Sequence, residues 1–189
     1  MIPAPIPEND TDRVESLEKM NLMSTPREGD LDRITRTAQK IFQTEIALIS
    51  LVDKDRQWFK SRCGLDATET PRDISFCGHA VQSDETFVVS DAALDERFYD
   101  NPLVTDGPKV KFYAGQPLTN SEGYRIGTLC VISPTARKIS EADRLTLQDL
   151  GRLVEVVLDN RKLSETQAAL LESLVAASHD KLIDPLNGL

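Results

Sequence analysis

The sequence predicts an α+β fold with a five- or six-stranded antiparallel sheet, helices packed on one face and a long C-terminal helix. Short apolar segments bounded by turn residues occupy the middle of the chain, which is typical of antiparallel strands. Two amphipathic segments with helical spacing precede them. From Ser140 onward the sequence keeps helical spacing, and no proline occurs between Pro134 and Pro185.

Two helices are predicted near the N-terminus, after a proline-rich start. The first covers residues 11–22, with Asp10 or Thr11 as its cap, and Pro26 follows its end. The second covers residues 27–42 and keeps its apolar side chains on one face, opposite a charged face: Leu31, Ile34, Ala38, Ile41 and Phe42.

The predicted strands form two hairpins joined through a short helix and a short strand. In chain order these are a strand at 45–52, its return at 57–63, a helix at 76–81, a strand at 86–90, and a second hairpin at 110–118 and 124–132. The connection at 91–108 is long, with one helical turn expected near 91–94. Connections of this length in compact domains are more often functional than idle.

The second hairpin has two largely apolar faces. Alternation places one set of side chains on one face: Tyr124, Ile126, Thr128, Cys130 and Ile132. The other face carries Arg125, Gly127, Leu129 and Val131. Both faces are therefore expected to be covered, with helices behind the sheet and a small-molecule pocket in front of it.

Composition excludes several classes of protein. The net charge is −9, and the 22 basic residues are scattered, which disfavours nucleic-acid binding. No apolar run approaches the roughly 20 residues that span a bilayer, and the start lacks the pattern of a secretory signal. Three cysteines do not suggest a disulfide framework. We expect a cytoplasmic segment without a membrane span.

The long helix carries a heptad pattern. Positions a and d are occupied by Leu153, Val156, Asn160, Leu163, Gln167, Leu170 and Leu174. The polar a positions, Asn160 and Gln167, fit a parallel two-stranded coiled coil, so the pattern predicts a homodimer. Before about residue 157 the helix is expected to pack on its own domain. Beyond it a partner helix is favoured, and a single helix that packs on its own domain is the alternative.

These segments, in this order and spacing, resemble a GAF domain, a small sensor module of bacterial signalling proteins. The matching segments are 31–34, 47–53, 56–61, 69–72, 75–80, 101–105, 112–115, 117–118 and 127–132. The resemblance implies a sheet with helices behind it, a ligand cavity in front, and frequent dimerisation through terminal helices. It implies no particular ligand, because GAF domains bind cyclic nucleotides, bilins, haem, small metabolites or nothing known. The cofactor is therefore unknown.

The tail carries a second resemblance. Residues 184–189 are similar to the opening of a GGDEF (diguanylate cyclase) domain, with Asn187 where threonine is usual. This implies an output domain that makes cyclic di-GMP from GTP with catalytic residues beyond 189. The rival is the phospho-acceptor helix of a histidine kinase, which His179 and Pro185 imitate. Their separation is one residue too long, which turns a helix by about 100°, so the cyclase is favoured.

Four parts are expected: an N-terminal extension and helix at 1–26, a GAF sensor domain at 27–157, a signalling linker helix at 158–183, and the start of a truncated output domain at 184–189. In this interpretation the chain is a regulatory module and not an enzyme. Its expected partners are a small ligand, a second copy of the chain and the output domain.

The candidate ligand-binding residues are side chains expected near the cavity: Trp58, Phe76, Cys77, His79, Phe98, Phe112, Tyr124 and Cys130. Phe98 is expected at the cavity mouth or, alternatively, as a loop anchor in the core. His79 either bonds a backbone carbonyl or contacts a ligand. No metal site is predicted, because a zinc site with Cys77 and His79 would need two further ligands.

Cys77 and Cys130 leave open a small redox enzyme as an alternative function. One GAF subfamily reduces free methionine sulfoxide with a set of cysteines, one of them in the long loop. Residues 91–108 contain no cysteine, which disfavours that activity and also bilin attachment. Cys130 is expected to be a small core residue.

Overall fold

A computed structural model of the chain describes residues 1–182, without the side chains at position 162 and at 176–182. The elements are α1 (Asp10–Lys19), α2 (Gly29–Phe42), β1 (Ile46–Val52), β2 (Arg56–Cys63), β3 (Glu69–Pro71), α3 (Phe76–Ala80), β4 (Phe87–Val89), α4 (Pro102–Thr105), β5 (Phe112–Thr119), β6 (Arg125–Ser133) and α5 (Glu141–Leu182). The predicted start of the output domain at 184–189, and the side chain of His179, lie outside the described residues.

The six strands form one antiparallel sheet in the order β3-β2-β1-β6-β5-β4. This confirms the predicted α+β fold class. Leu48 of β1 pairs with Cys130 of β6, and Tyr113 of β5 pairs with Ile132 of β6. Because directly paired residues share a face, these pairs bring the three central strands together on the front of the sheet.

Helices α1, α2 and α5 cover the back of the sheet and enclose the larger apolar core, called here the helix-side core. Among its buried members are Leu17, Leu31, Ala38, Phe42, Ala47, Ile49, Leu51, Leu129, Val131, Leu147 and Val154. The amphipathic spacing of α2 supplies Leu31, Ala38 and Phe42 to it. Each large aliphatic side chain buried here contributes about 1.5–3 kcal/mol.

The front of the sheet is covered by α3, α4 and the loops around them. The apolar side chains there form a second core, called here the cavity-side core: Ile46, Leu48, Val52, Phe59, Phe76, Cys77, Ala80, Val81, Val89, Ala92, Phe98, Val110, Tyr113, Cys130 and Ile132. Both faces of the sheet are therefore covered, as their apolar character predicts.

The first residues cross this front surface in extended form. The Ile2 amide donates to the Arg97 carbonyl (3.0 Å) and the Ala4 amide to the Asp73 carbonyl (3.4 Å). Ala4 is buried against Gly78 of α3, where an added Cβ would lie 2.7 Å from the Ala4 methyl. The N-terminal segment is thus packed against the helix that lines the front of the sheet.

Three elements differ from the prediction. β3 forms where no strand is predicted, between the strand at 57–63 and the helix at 76–81, because it pairs with β2 at the sheet edge. A hydrogen-bonded turn forms near 91–94, where one is expected, because the Leu94 amide donates to the Asp91 carbonyl (3.1 Å). α4 forms later in the same connection and is not predicted; the Asn101 side chain accepts from the Leu103 amide (2.9 Å) and Pro102 takes the first helical position. α1 ends at Lys19, and Asn21 adopts a positive φ of 50° shortly after it.

The second hairpin departs from regular alternation near its turn. The register of β5 and β6 shifts between Leu118 and Thr119. Ile126, expected on the same face as Cys130, therefore packs in the helix-side core, as does the neighbouring Tyr124. Cys130, beyond the shift, lies on the front as predicted.

Helix α5 begins with a capping box, in which the Asp143 amide donates to Ser140 Oγ (3.1 Å) and the Ser140 amide donates to Asp143 Oδ2 (3.2 Å). Leu147, Val154 and Leu158 are buried in the helix-side core. The heptad seam lies at the surface of the single chain: Leu153, Val156, Asn160, Leu163, Gln167, Leu170 and Leu174. No helix within residues 1–182 is long and apolar enough to cross a membrane.

Candidate ligand cavity

A cavity of about 420 Å³ opens in front of the sheet. Small-molecule sites typically range from about 300 to 1,000 Å³. Its lining is mainly apolar: Ile46, Leu48, Phe59, Leu65, Ala67, Phe76, Leu103, Pro108, Val110 and Ile132. The polar lining residues are Gln57, Asp66, Thr70, Cys77 and Tyr113, and no lysine or arginine is among the described residues that line it.

A chain of hydrogen bonds organises one polar part of the lining. Ser50 Oγ donates to Gln57 Oε1 (3.1 Å), and Gln57 Nε2 donates to Thr70 Oγ1 (2.6 Å). Ser50 is fully buried, whereas Thr70 is half-buried on the edge strand. Because the Thr70 oxygen accepts from Gln57, its own hydrogen points elsewhere and can serve an acceptor in the cavity.

Cys77 contributes a sulfur with several donors around it. Its Sγ accepts from Tyr113 OH (3.3 Å) and Thr128 Oγ1 (3.2 Å) and lies 4.0 Å from Cys130 Sγ. Burial opposes the thiolate, but hydrogen bonds from Cys130, Thr128 and Tyr113 outweigh it and lower the pKa of Cys77 to about 6.

The eight predicted site residues divide into three groups. Phe76 and Cys77 line the cavity. Three others lie on the same side of the sheet as the cavity but do not line the cavity: His79, Phe98 and Cys130. Phe98 is fully buried and stacks on Phe76 with ring centroids 4.1 Å apart, so it anchors the long loop in the core and does not cover the cavity mouth.

His79 has the geometry of a structural histidine. Its Nε2 lies 3.2 Å from the Ile2 carbonyl oxygen, and its ring meets Phe98 edge-on at 4.8 Å. Burial and, to a smaller degree, the charge of Arg97 lower the pKa of His79. The neutral ring therefore donates Nε2–H to the carbonyl. Within residues 1–182, no cluster of three or more His, Cys, Asp and Glu is placed to hold a metal.

The predicted place near the cavity is wrong for three residues, because they pack against the helix-side core: Trp58, Phe112 and Tyr124. In two cases the next residue along the chain faces the cavity: Phe59 follows Trp58, and Tyr113 follows Phe112. Tyr113 pairs with Ile132, which lies on the front of the sheet, so the strand register would have assigned Tyr113 to the cavity side and Phe112 to the helix side. Gln57, on the cavity side of β2, was also missed.

An ion pair between the buried Lys60 and the half-buried Glu28 connects the sheet to α5. Lys60 is the extra residue where the β1–β2 register shifts, and its Nζ lies 2.6 Å from Glu28 Oε1. The same Glu28 oxygen lies 3.2 Å from Arg161 Nε of α5. Lys60 Nζ also donates to Thr25 Oγ1 (2.6 Å) and the Pro26 carbonyl (2.9 Å). Glu28 thus joins a strand beside the cavity to the C-terminal helix.

Behind the cavity, α1 is held by a second buried cluster. Asp10 accepts from Arg13 Nε (2.8 Å) and from both terminal nitrogens of Arg72 (2.8 Å each). Arg13 and Arg72 also donate to backbone carbonyls of the β1–β2 turn region, those of Val52 and Asp53. One carboxylate therefore neutralises part of two buried guanidinium charges and fixes α1 to the turn.

The antiparallel sheet, the helices behind it and the apolar cavity in front together define a class of fold. The family model described as GAF domain matches residues 26–158. That match covers more than half of the chain, and the chain belongs to the GAF domain family, whose members serve as sensor domains in signalling proteins.

Among curated proteins, the chain is 41% identical over 155 residues to the cyclic di-GMP phosphodiesterase PA2567 of Pseudomonas aeruginosa. The similarity covers 82% of this chain and 26% of that protein. The chain therefore spans about a quarter of the length of this relative.

Two solved structures illustrate the range of the fold. The phycocyanobilin-bound GAF domain of a cyanobacterial phytochrome has a TM-score of 0.60 and 15% identity, covering 82% of this chain and 96% of that one. Free methionine-R-sulfoxide reductase from Neisseria meningitidis has a TM-score of 0.58 and 22% identity, covering 84% and 90%. At these identities the likeness shows the fold alone.

Proposed function

We propose that the chain is the regulatory sensor module of a larger signalling protein and that it binds a small ligand in the front cavity. The cavity carries the proposal: an apolar space of about 420 Å³ on the sheet whose other face holds α5. Protein interiors are otherwise closely packed, so a space of this size is suited to a guest molecule.

The ligand we propose is uncharged and largely apolar, with one hydrogen-bond acceptor. Aliphatic and aromatic side chains form most of the lining, and the Thr70 hydroxyl offers a donor. Among the described residues that line the cavity, the one with a charged side chain is Asp66, which is exposed. A phosphate group, as in a cyclic nucleotide, would find no cationic side chain among these lining residues.

The proposed path to the output runs through β2. Gln57 and Phe59 line the cavity, and the next residue, Lys60, reaches Glu28 on the opposite side of the sheet. Glu28 in turn pairs with Arg161, just after the last residue matched by the family model. A ligand that shifts β2 would therefore alter the contacts of α5 where it leaves the domain.

We further propose that α5 pairs with α5 of a second copy. The exposed leucines at 163, 170 and 174 continue the heptad pattern beyond the domain, and Leu163 is 58% exposed in the single chain. Burial of this seam against an identical helix would remove apolar surface from water. A change in helix rotation or stagger would then reach the output domain.

For the output domain we propose turnover of cyclic di-GMP. The sequence similarity at 184–189 favours a diguanylate cyclase, and the name of the Pseudomonas relative favours a phosphodiesterase. Incubation of the full-length parent protein with GTP, and separately with cyclic di-GMP, distinguishes these two activities. Failure to consume either nucleotide would refute this part of the proposal.

Native mass spectrometry of the chain purified from cell lysate tests the sensor role. We expect a bound small molecule in the unmodified chain and its loss in Leu103→Trp, which fills the cavity. Leu94→Trp is the matched control, because Leu94 is 83% exposed and does not line the cavity. Thr70→Val should weaken binding without abolishing it, by removing the hydroxyl donor.

Two results would count against this function. One is an unliganded chain whose melting temperature responds to no small molecule in a chemically broad collection. The other is a ligand that remains bound in Leu103→Trp, which would locate binding elsewhere. Reduction of free methionine sulfoxide by the chain would instead support the enzyme alternative.

A further inference from the structure

Two buried cysteines face each other on the front of the sheet. Cys77 lies on α3 and Cys130 on the central strand β6, and their sulfur atoms are 4.0 Å apart. Both side chains are at most 2% exposed. The third cysteine, Cys63, is half-buried at the end of β2, where its Sγ lies 3.0 Å from Gln39 Oε1.

The surroundings of Cys77 differ from those of a cysteine that only fills space. Two hydroxyl groups, of Tyr113 and Thr128, donate to its sulfur at 3.3 and 3.2 Å. Donors directed at sulfur stabilise the thiolate, which is the reactive form of cysteine. An inert core cysteine has no need of such donors, so this arrangement favours a chemical role.

The two thiols are not equivalent. Cys77 lines the 420 Å³ cavity, whereas Cys130 is not among the lining residues. The hydrogen bond with Cys77, together with burial, raises the pKa of Cys130 well above its ordinary value. A small reagent entering the cavity would therefore meet Cys77 first, with Cys130 behind it as a protonated second thiol.

We propose that Cys77 and Cys130 form a reversible disulfide in response to a hydroperoxide that reaches Cys77 through the cavity. This inference goes beyond the ligand-sensing proposal and does not depend on it. It also differs from the enzyme alternative, because the protein itself is the oxidised product and no substrate is repaired.

The chemistry balances in two steps. The Cys77 thiolate attacks one peroxide oxygen, the O–O bond breaks, and the departing oxygen takes a proton to leave as an alcohol, or as water from hydrogen peroxide. Cys130 then loses its proton and attacks the Cys77 sulfur, the S–O bond breaks, and water leaves. Overall, two thiols lose two electrons and two protons, and one hydroperoxide is reduced. A dithiol then reduces the protein disulfide back to two thiols by exchange and is itself oxidised to a disulfide.

The disulfide would change the wall of the cavity. The sulfur atoms must approach from 4.0 Å to about 2.05 Å. β6 is a central strand paired on both sides, whereas α3 is a helix of 5 residues. We therefore expect α3 to supply most of the movement. Phe76 and Cys77 of α3 both line the cavity, so oxidation would alter its shape.

The direct test uses the unmodified chain. The protein is treated with hydrogen peroxide, free thiols are blocked with N-ethylmaleimide, and the intact mass and proteolytic peptides are measured. We expect one blocked thiol, Cys63, and a linked peptide pair containing Cys77 and Cys130. Treatment with dithiothreitol before blocking should restore all three labels. Retention of three free thiols after peroxide treatment would overturn the proposal.

Variants separate the two roles. Cys130→Ser removes the second thiol, so a sulfenic acid should accumulate at Cys77 and react with dimedone. Cys77→Ser should leave Cys130 unoxidised, and Cys63→Ser, the matched control, should still form the disulfide. Dimedone labelling of Cys63 alone, or a peroxide-dependent link between Cys63 and either other cysteine, would also overturn the assignment.

The rate gives an independent measurement. We expect peroxide to oxidise Cys77 at pH 7 at least about tenfold faster than Cys63, which has no comparable set of hydroxyl donors. Equal rates at the two positions would contradict the role given to Tyr113 and Thr128. This comparison uses the unmodified chain and so does not depend on the folding of any variant.

Discussion

The Glu28 carboxylate lies 2.6 Å from the Lys60 ammonium, and Lys60 is only 1% exposed although it is a lysine. A buried charge of this kind requires a partner, since desolvation of an unpaired ion is costly. Arg161 approaches the same Glu28 oxygen from α5. One carboxylate therefore stabilises a charge inside the sheet and also contacts the helix that leaves the domain.

Glu28→Gln should destabilise the domain. The glutamine amide is neutral and cannot balance the charge of Lys60. The Lys60 ammonium then keeps two uncharged hydrogen-bond partners, Thr25 Oγ1 and the Pro26 carbonyl. We expect the free energy of unfolding in urea to fall by about 1.5–3 kcal/mol. Glu165→Gln is the control, because Glu165 pairs with Arg161 at the surface and should cost less than about 1 kcal/mol. Equal losses would show that Lys60 does not need Glu28.

Leu163→Asp should shift the chain towards monomer in sedimentation velocity experiments, because it introduces a charge into the heptad seam. Truncation after residue 157 should have the same effect. Ala168→Asp is the matched control, since position 168 lies at an outer heptad position. A dimer that survives both changes would indicate that the interface lies elsewhere, such as at α1.

Asp10→Asn should reduce stability in a pH-dependent way. Burial acts to raise the pKa of Asp10, but hydrogen bonds and charges from Arg72 and Arg13 outweigh it and hold that pKa below 3.8. The carboxylate therefore stabilises the fold above its unfolded pKa, and this contribution is lost as pH falls through the lower folded pKa. At pH 7 we expect a loss of about 3–5 kcal/mol.

The check is the free energy of unfolding of both proteins from pH 7 downwards. The advantage of the unmodified chain should shrink once the pH falls below about 4. Asp30→Asn, which removes an exposed pair with Arg33, should have little effect at any pH. A difference that did not change down to about pH 2 would contradict the assignment to Asp10 ionisation.

Thr128→Val should raise the pKa of Cys77 above its value of about 6, because one hydroxyl donor to the sulfur is lost. The rate of iodoacetamide labelling at Cys77, followed against pH by mass spectrometry, should move to a higher midpoint. Thr35→Val removes a buried hydroxyl on the other side of the sheet and should leave the profile unchanged. An unaltered profile in Thr128→Val would refute the role of that donor.

Much of the fold follows from local patterns. The β1 segment is apolar on both faces, and the capping box at Ser140 with Asp143 marks the start of α5. β3 was missed because its three residues are stabilised only by pairing with β2. No short-range signal of its own marks a strand of this length, and the same applies to the four-residue helix α4.

The site was harder to predict, because it depends on which face each strand presents. Trp58 and Phe59, and likewise Phe112 and Tyr113, are adjacent aromatic pairs with opposite directions. Choosing between members requires the strand register, and a shift of one residue reverses the choice. The register shifts at Ile49 and at Leu118 cannot be read from alternation, and they reverse the faces expected for Trp58 and Tyr124. Phe112 lies outside both shifts, and its face depends on the pairing of β5 with β6.

The extended N-terminal segment has a practical consequence. The Met1 ammonium pairs with Asp100, and the Pro5 carbonyl accepts from Gln82 just after α3. A substitution or deletion that displaces residues 2–5 would therefore remove contacts beside the helix that carries Phe76 and Cys77. Recombinant protein for compound screening should keep this segment unaltered, so that the cavity is assayed with its front covering in place.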